Sequence, residues 1–576
     1  MRLVFDVETD DVKASKLWCI VAQDVDTKEI FKFPPDKLSE ACKLLSQADT
    51  LIGHNIIGFD IPIVEKFCNV DLSDKEVIDT LVLSRLFNPV RDGGHSLETW
   101  GYKLGYPKIQ FEEYDKYSEK MLDYCVRDVE LNTKVFFKLR QESKGFSKQS
   151  IQLEKDVARI IKQQEVNGFK FDMTSAQLLL AELREKMQQI EDEVHSTFKP
   201  KWIDDKLITP YIRKDGQLSK RGLTDDEYNR CLDTKNYKPF MRQKLQEFNL
   251  GSRKQIGEYL VDFGWKPDRF TPTGQPIVDE KTLSQITHIH EAKLIADFLL
   301  LQKRIAQVDS WVEAVEEDDR VHGFVIPNGT ITGRMTHRNP NMAQVPSVSS
   351  PYGDRCRACW TVDEGNVLLG VDASGLEIRM LAHYMADEEF INEIIKGDIH
   401  TTNQKAARLK SRNQAKTFIY ALMYGAGDKK LGSVVGGNEG DGKRAREHFF
   451  SNTPSFKSLR DRVQRAAIKT YLKGIDGRKL YVRNNHAALN TLLQGAGSIV
   501  MKKALSLLDS LLRLNAIDYK FVANIHDEWQ IEVKESQADF VGGLAVKSII
   551  DAGKHFNLRC PLDGEYKIGG NWSETH

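Results

Sequence analysis

The sequence predicts a multidomain protein combining an α/β segment with α+β segments. Three observations carry this prediction. At 576 residues the chain is several times the usual domain size of about 150, which implies three or four domains or subdomains. Over residues 1–140, apolar β-branched runs alternate with helical stretches. Beyond a long helical middle, apolar strand-like runs each end in an acid.

The elements follow in order. LVFDV, LWCIVAQDV and TLIGHNI read as strands, and 36–47 and 118–140 as helices. Residues 150–198 are helical, with Gly168 a stop after IIKQQEVN. Residues 199–254 lose that regular pattern and hold 14 Lys and Arg against 8 Asp and Glu. A basic surface for duplex DNA, a docking site for a processivity partner and a solvated insertion all fit this segment. Helical pattern resumes at 278–318, and a Gly-, Pro- and Asn-rich passage precedes the C-terminal half.

Composition narrows the class. With 41% hydrophobic and 29% charged residues the chain reads as soluble and globular, and no apolar run of about 18 residues predicts a membrane span. The start MRLVFDVETD lacks a signal-peptide pattern, so the expected location is the cytoplasm. The eight cysteines read as reduced thiols, because the single CxxC at Cys356 and Cys359 has no second pair to complete a zinc site. A net charge of −1 does not by itself suggest nucleic acid, but acidic metal clusters and basic clefts can cancel.

Asp6 and Glu8 lie two apart at the end of an apolar run, hence on one strand face, where adjacent carboxylates call for a divalent cation. Asp60 follows the strand TLIG within His54-Asn55-Ile56-Ile57-Gly58-Phe59-Asp60, and Tyr124 and Asp128 share a helix face. Asp79 reads as a helix cap or as a supporting acid. The ensemble D-x-E, N-x3-F-D and Y-x3-D resembles the tyrosine-bearing DEDD 3′→5′ exonucleases. That resemblance implies metal ligation by Asp6, Glu8, Asp60 and Asp128, with Tyr124 orienting the attacking water.

The C-terminal half holds a second set. Asp372 ends the strand VLLGVDA, while Asp527 and Glu528 sit at a hairpin tip between two apolar runs. Arg412, Lys416, Tyr420 and Tyr424 recur every four residues along one helix side, a pattern suited to phosphates and a base, with His400 upstream.

These segments match the D-x-S-G-L-E, R-x3-K-x7-Y-G and H-D-E motifs of polymerase I-like (family A) DNA polymerases, and the wording resembles the replicative polymerases of short-tailed bacteriophages. The resemblance implies an RNase H-like exonuclease domain over 1–145. A helical thumb over 146–325, with the basic insertion, then precedes palm and fingers over 326–576, the fingers at about 390–480. It further implies that Asp372, Asp527 and the Ala373 carbonyl hold two metals, Mg²⁺ with Mn²⁺ as a substitute, and that Glu528 lies nearby. Lys416, Arg412 and His400 would bind the dNTP, and Lys416 could serve as a general acid. Glu377 would exclude a 2′-hydroxyl, Tyr420 would tolerate dideoxynucleotides, and Tyr424 would pack by the nascent pair. Thr332, Arg334, Gln344, His486 and Gln494 match primer-template contacts, Arg334 and Gln494 for minor-groove geometry. A helicase-primase is an expected partner class. The insertion looks shorter than the one that recruits thioredoxin in some relatives, which leaves thioredoxin dependence open.

Gly437 to Arg444 nearly fits a P-loop, but Arg444 stands where Ser or Thr must hold magnesium, so a P-loop ATPase is excluded. A nuclease with a non-polymerising C-terminal half and a non-catalytic nucleic-acid scaffold are rival readings. The joint presence of Asp372, Lys416 and Asp527 opposes both.

Overall fold

The computed structural model describes Met1–His576. Two compact units divide the chain: Met1–Asp172 with Ala314–His576, and Met173–Glu313.

The first unit opens with a five-stranded mixed sheet. The strand Arg2–Thr9 is central, antiparallel to Leu17–Asp24 and parallel to Thr50–Gly53. Ile30–Phe33 and Glu76–Asp79 complete the two sides. The central position explains why LVFDVET is apolar on both faces except at its acids, since helices or neighbouring strands cover each side. A register shift at Glu8/Thr9 turns the strand end out beside the two acids, where bulges often re-aim functional side chains. The helix Glu119–Glu142 packs on this sheet, burying Cys125, Asp128 and Val129.

The helix Lys148–Asn167 also belongs to the first unit, packing on Ala488–Leu514 and on the strand Tyr519–Ile525. The sequence grouped it with the helical middle, because its own amphipathic pattern does not name its tertiary partner. Its Glu154 is fully buried and bonded to Lys502 Nζ (2.7 and 2.8 Å) and to Arg478 (2.5 Å), which in turn pairs with Asp476 (2.7 Å). Two cations facing two acids satisfy charges that would each be costly if left alone in the interior. Gly168, at φ +61, ends the helix as expected, a backbone state in which a side chain is strained.

A four-stranded antiparallel sheet, in the order Tyr519–Ile525, Glu528–Lys534, Asn366–Ala373, Gly564–Gly569, forms the base of the C-terminal region. Six helices between Glu388 and Ala466 follow in the expected fingers segment. Within it, Asn438 and Asp441 cap the helix Glu439–Asn452 reciprocally, so the near-P-loop glycines are a helix start.

In the second unit the helices Met173–Thr197 and His290–Val312 pack together, with Arg184 bonded to Asp309 at 2.8 Å. Residues 199–254 are more regular than expected. Lys201–Ile208 and Phe240–Gln246 form an antiparallel hairpin, with the helix Asp225–Thr234 between them. Consecutive charges at Asp204, Asp205 and Lys206 break the alternation that marks a strand, and the hairpin buries little: Trp202, Leu207, Met241 and Leu245 are all exposed large hydrophobics.

The reading of all cysteines as reduced thiols is corrected at one pair. Cys42 and Cys68 are disulfide-bonded, joining the helices Leu38–Gln47 and Asp60–Cys68, a proximity that spacing alone does not reveal. Cys356 and Cys359 are buried thiols.

Candidate active sites

Two acid clusters lie in the first unit. The first gathers at the end of the strand Arg2–Thr9. Asp60, at the start of the helix Asp60–Cys68, accepts from Val7 N at 3.2 Å, which docks it against the strand between Asp6 and Glu8. Asp79 caps the helix Thr80–Phe87 through Leu81 N and Val82 N. It also accepts from Asn55 N and Ile57 N, both at 3.2 Å, and so shapes the turn that delivers Asp60. The cap reading of Asp79 is thus observed, and its bonds to Asn55 N and Ile57 N connect it to the Asp60 turn.

Tyr124 and Asp128 come from the helix Glu119–Glu142, one turn apart on one face. Burial and neighbouring acids act together on this cluster. Asp6 is held well above the usual range by burial, then Asp60 and Glu8. Burial raises Asp60 to about 7, and burial with nearby Cys19 and Asp128 raises Glu8 to about 9. Asp128 Oδ1 is buried with no hydrogen-bond partner.

This arrangement fits hard divalent cations: carboxylates forced together, short of positive charge, with an orphan buried oxygen. The Cys125 thiol lies within 4.8 Å of Asp6 and Glu8 and was missed by the sequence reading, but burial keeps it protonated and hence a poor ligand. A cleft of about 380 Å³, lined by Glu8, Phe59 and Tyr114, opens beside the acids.

The second cluster sits at one end of the antiparallel sheet. Asp372 faces Glu528 in register, and Ala373 N donates to the Asp527 carbonyl at 3.2 Å. Asp527 occupies a two-residue turn whose first member, His526, has φ +59. A non-glycine residue there is strained, by roughly 1–3 kcal/mol, and such strain gathers at functional sites. Desolvation, then Asp527 and Glu528, lifts Asp372 to about 7, and burial raises Asp527.

Glu528 behaves differently. Burial opposes its ionisation, but hydrogen bonds from His576 and Trp572 outweigh that and hold it low. Its carboxylate takes Trp572 Nε1 at 2.6 Å and Gln530 Nε2 at 2.7 Å, and lies 3.3 Å from His576 Nδ1. Those bonds fasten the C-terminal segment against the sheet, a partner set the H-D-E motif does not announce.

The helix Arg412–Met423 carries Arg412, Lys416 and Tyr420 along one side, with Tyr424 as its C-cap. Arg412 is engaged by Asp398, at 2.6 and 3.1 Å, a fork the sequence reading missed. Asp398 also caps the helix bearing His400, so one carboxylate ties both expected triphosphate ligands together. Glu377 bridges Arg334 Nη2 at 2.9 Å and the Tyr424 hydroxyl at 2.5 Å.

Thr332, Arg334 and Gln494 line one cleft of about 510 Å³ with His337, Arg483 and His526. Gly333, at φ +78, backs onto Arg478 and Lys502 of the buried charge network, so that network underlies the cleft. Gln344 and His486 stand in short 3₁₀ turns next to the lining residues Ala343 and Ala487. The His486 carbonyl fills the space where Gly425 lacks a side chain.

The antiparallel sheet thus carries paired acids at one end, with the cation-bearing helix Arg412–Met423 inserted in sequence between its strands Asn366–Ala373 and Tyr519–Ile525. The whole chain superposes on the polymerase domain of Pol1 from M. smegmatis, a structure in complex with DNA primer-template and dNTP, with a TM-score of 0.81 over 100% of this chain and 96% of that one. At 18% identity that likeness speaks for the fold. Residues 224–574 match DNA polymerase family A. The DNA-directed DNA polymerases of Enterobacteria phage T3 and Escherichia phage T7 are each 32% identical over the full length of both chains. The protein belongs to DNA polymerase family A. No helix is long and apolar enough to cross a membrane.

Proposed function

We propose that the protein extends DNA primers on a template and removes mispaired 3′ ends, in the replication of a phage genome. The observation that carries this reading is two separate carboxylate clusters on one chain, one at the end of a mixed sheet's central strand and one at an antiparallel sheet end. The segment 1–145 serves as exonuclease, Met173–Glu313 within 146–325 as thumb, and 326–576 as palm with fingers. Primer-template DNA and dNTPs are the substrates. The exposed face of the hairpin Lys201–Gln246 is where a processivity factor would attach.

In the synthetic site Asp372, Asp527 and the Ala373 carbonyl would hold divalent metal, Mg²⁺ by the hardness of the ligands. Bound cations there supply charge that acidifies a hydroxyl and offsets charge on phosphate. Lys416, Arg412 and His400 bind the triphosphate, Arg412 exchanging Asp398 for phosphate oxygens. Glu377, held by Arg334 and Tyr424, blocks a 2′-hydroxyl. Tyr420 and Tyr424 flank the base, and Thr332, Arg334 and Gln494 follow the minor groove. Glu528 is a positioning residue acting through the C-terminal segment. In the editing site Asp6, Glu8, Asp60 and Asp128 would hold metal and Tyr124, on the helix face with Asp128, would orient water.

A 3′-mismatched primer-template incubated with Mg²⁺ and four dNTPs is expected to be trimmed, then extended. Trimming without extension would remove the synthetic assignment of Asp372 and Asp527.

Proton linkage gives a second expectation. Asp60 and Asp372 at about 7 and Glu8 at about 9 lie above their unfolded values, so in the metal-free folded chain these three sites bind more protons than they do in the unfolded chain. The stability that these sites contribute therefore falls as pH rises from about 4 towards 9. Mg²⁺ counters that loss, and the rise in Tm between EDTA and Mg²⁺ is expected to be larger at pH 8.5 than at pH 6. A rise independent of pH would separate the acids from metal binding.

A further inference from the structure

We infer that Lys108 binds the terminal phosphodiester of a DNA 3′ end in the editing site, an assignment that rests on the exonuclease reading. Lys108 lies in the segment 105–118, which has no helix or strand and joins the helices Leu97–Lys103 and Glu119–Glu142. Its ammonium is 2.5 Å from Asp128 Oδ2 and 4.7 Å from the centre of the Tyr124 ring. Its field also reaches Asp6 and Glu8.

The placement is built by its neighbours. The Pro107 carbonyl accepts from Arg127 at 3.4 Å, and the Tyr106 hydroxyl donates to Glu130 at 2.5 Å. Further along, Phe111 stacks on Tyr124 at 5.4 Å and the Tyr114 carbonyl accepts from Trp18 at 2.9 Å. Lys108 is thus carried in on a segment fastened on both sides of it, and the same segment's Tyr114 lines the open cleft with Glu8.

Charge balance identifies its ligand. Asp6, Glu8, Asp60 and Asp128 surround the site, and Lys108 contacts one of them, Asp128. One ammonium cannot neutralise four carboxylates, and Asp128 Oδ1 stays without a partner. Two divalent cations would balance the four acids and leave Lys108 unneeded by them. The remaining anion that the reaction must admit is a phosphodiester. An ammonium beside the water-orienting pair Tyr124 and Asp128 is placed to take its non-bridging oxygen.

The test compares full-length wild type, K108A and K108R. Binding of a 3′-hydroxyl trinucleotide is followed by fluorescence anisotropy in Ca²⁺, hydrolysis by single turnover in Mg²⁺, and Mg²⁺ affinity by calorimetry. Extension of a matched primer reports folding. K108A is expected to lose roughly 10- to 100-fold in trinucleotide affinity and trimming rate, the range for a hydrogen bond to a charged group. K108R recovers most of the loss, and Mg²⁺ affinity does not change. On a trinucleotide with a methylphosphonate terminal linkage, which lacks the anionic oxygen, wild type and K108A bind alike. Tighter Mg²⁺ binding by K108A with unchanged trinucleotide affinity would overturn the assignment, making Lys108 a counterion that metal displaces. Lys108-dependent binding by a wild type that does not trim would sink the exonuclease reading and keep the phosphate contact. Equal trinucleotide binding by wild type and K108A would overturn the contact itself.

Discussion

Replacing Asp527 with alanine is expected to abolish primer extension while trimming of a mismatched 3′ nucleotide continues. Asp527 stands on a strained turn fixed to the neighbouring strand through Ala373 N, so its carboxylate is held in place before any substrate arrives. Its loss leaves Asp372 as the facing acid and removes half of the charge that would hold metal at the sheet end. Preorganised charge of this kind is worth at least roughly 10³-fold in rate. Single-turnover incorporation of one dNTP measures the effect, with trimming in the same preparation as the folding control. Asp372→Ala should match it, and the double variant should add little, because the two acids act as a unit. Glu528→Gln provides the contrast, lowering thermal stability by loosening Trp572 and His576. If Asp527→Ala lowered extension no more than Glu528→Gln did, the metal assignment would fail.

Asp6→Ala is expected to have the reverse outcome, with trimming reduced by roughly 10³-fold or more and extension retained. Asp6 sits at the centre of the first cluster, where its charge is felt by Asp60, Glu8 and Asp128. Removing it relieves repulsion, so the variant should be at least as heat-stable as wild type without metal. That gain separates loss of a functional group from misfolding. A terminally labelled single strand follows trimming, and a matched primer-template follows extension. Parallel loss of both activities would argue against two independent sites.

Much of the site architecture was legible because it is local. The Asp6–Glu8 spacing puts both acids at one strand end. The four-residue steps from Arg412 to Tyr424 follow one helix side, and Gly168 stops its helix. Asp372 at a strand end and Asp527 in a tight turn likewise follow from neighbouring residues. The hairpin Lys201–Gln246 was not legible, because a strand pair that buries little lacks the alternation that marks strands.

Sequence alone determined the strand and helix identities around both acid clusters and the spacing of the acids within them. These depend on side-chain periodicity over a few residues, which secondary structure turns directly into faces. Only the tertiary structure decided the bond between Cys42 and Cys68, the burial of Glu154 between Arg478 and Lys502, and the hold of Asp398 on Arg412. It likewise decided the link from Arg334 through Glu377 to Tyr424 and the entry of Lys108 beside Asp128. Charge and hydrogen bonding act through space over a few ångströms, whatever the separation along the chain. Glu154 and Lys502 are 348 residues apart and meet at 2.7 Å only because two helices pack.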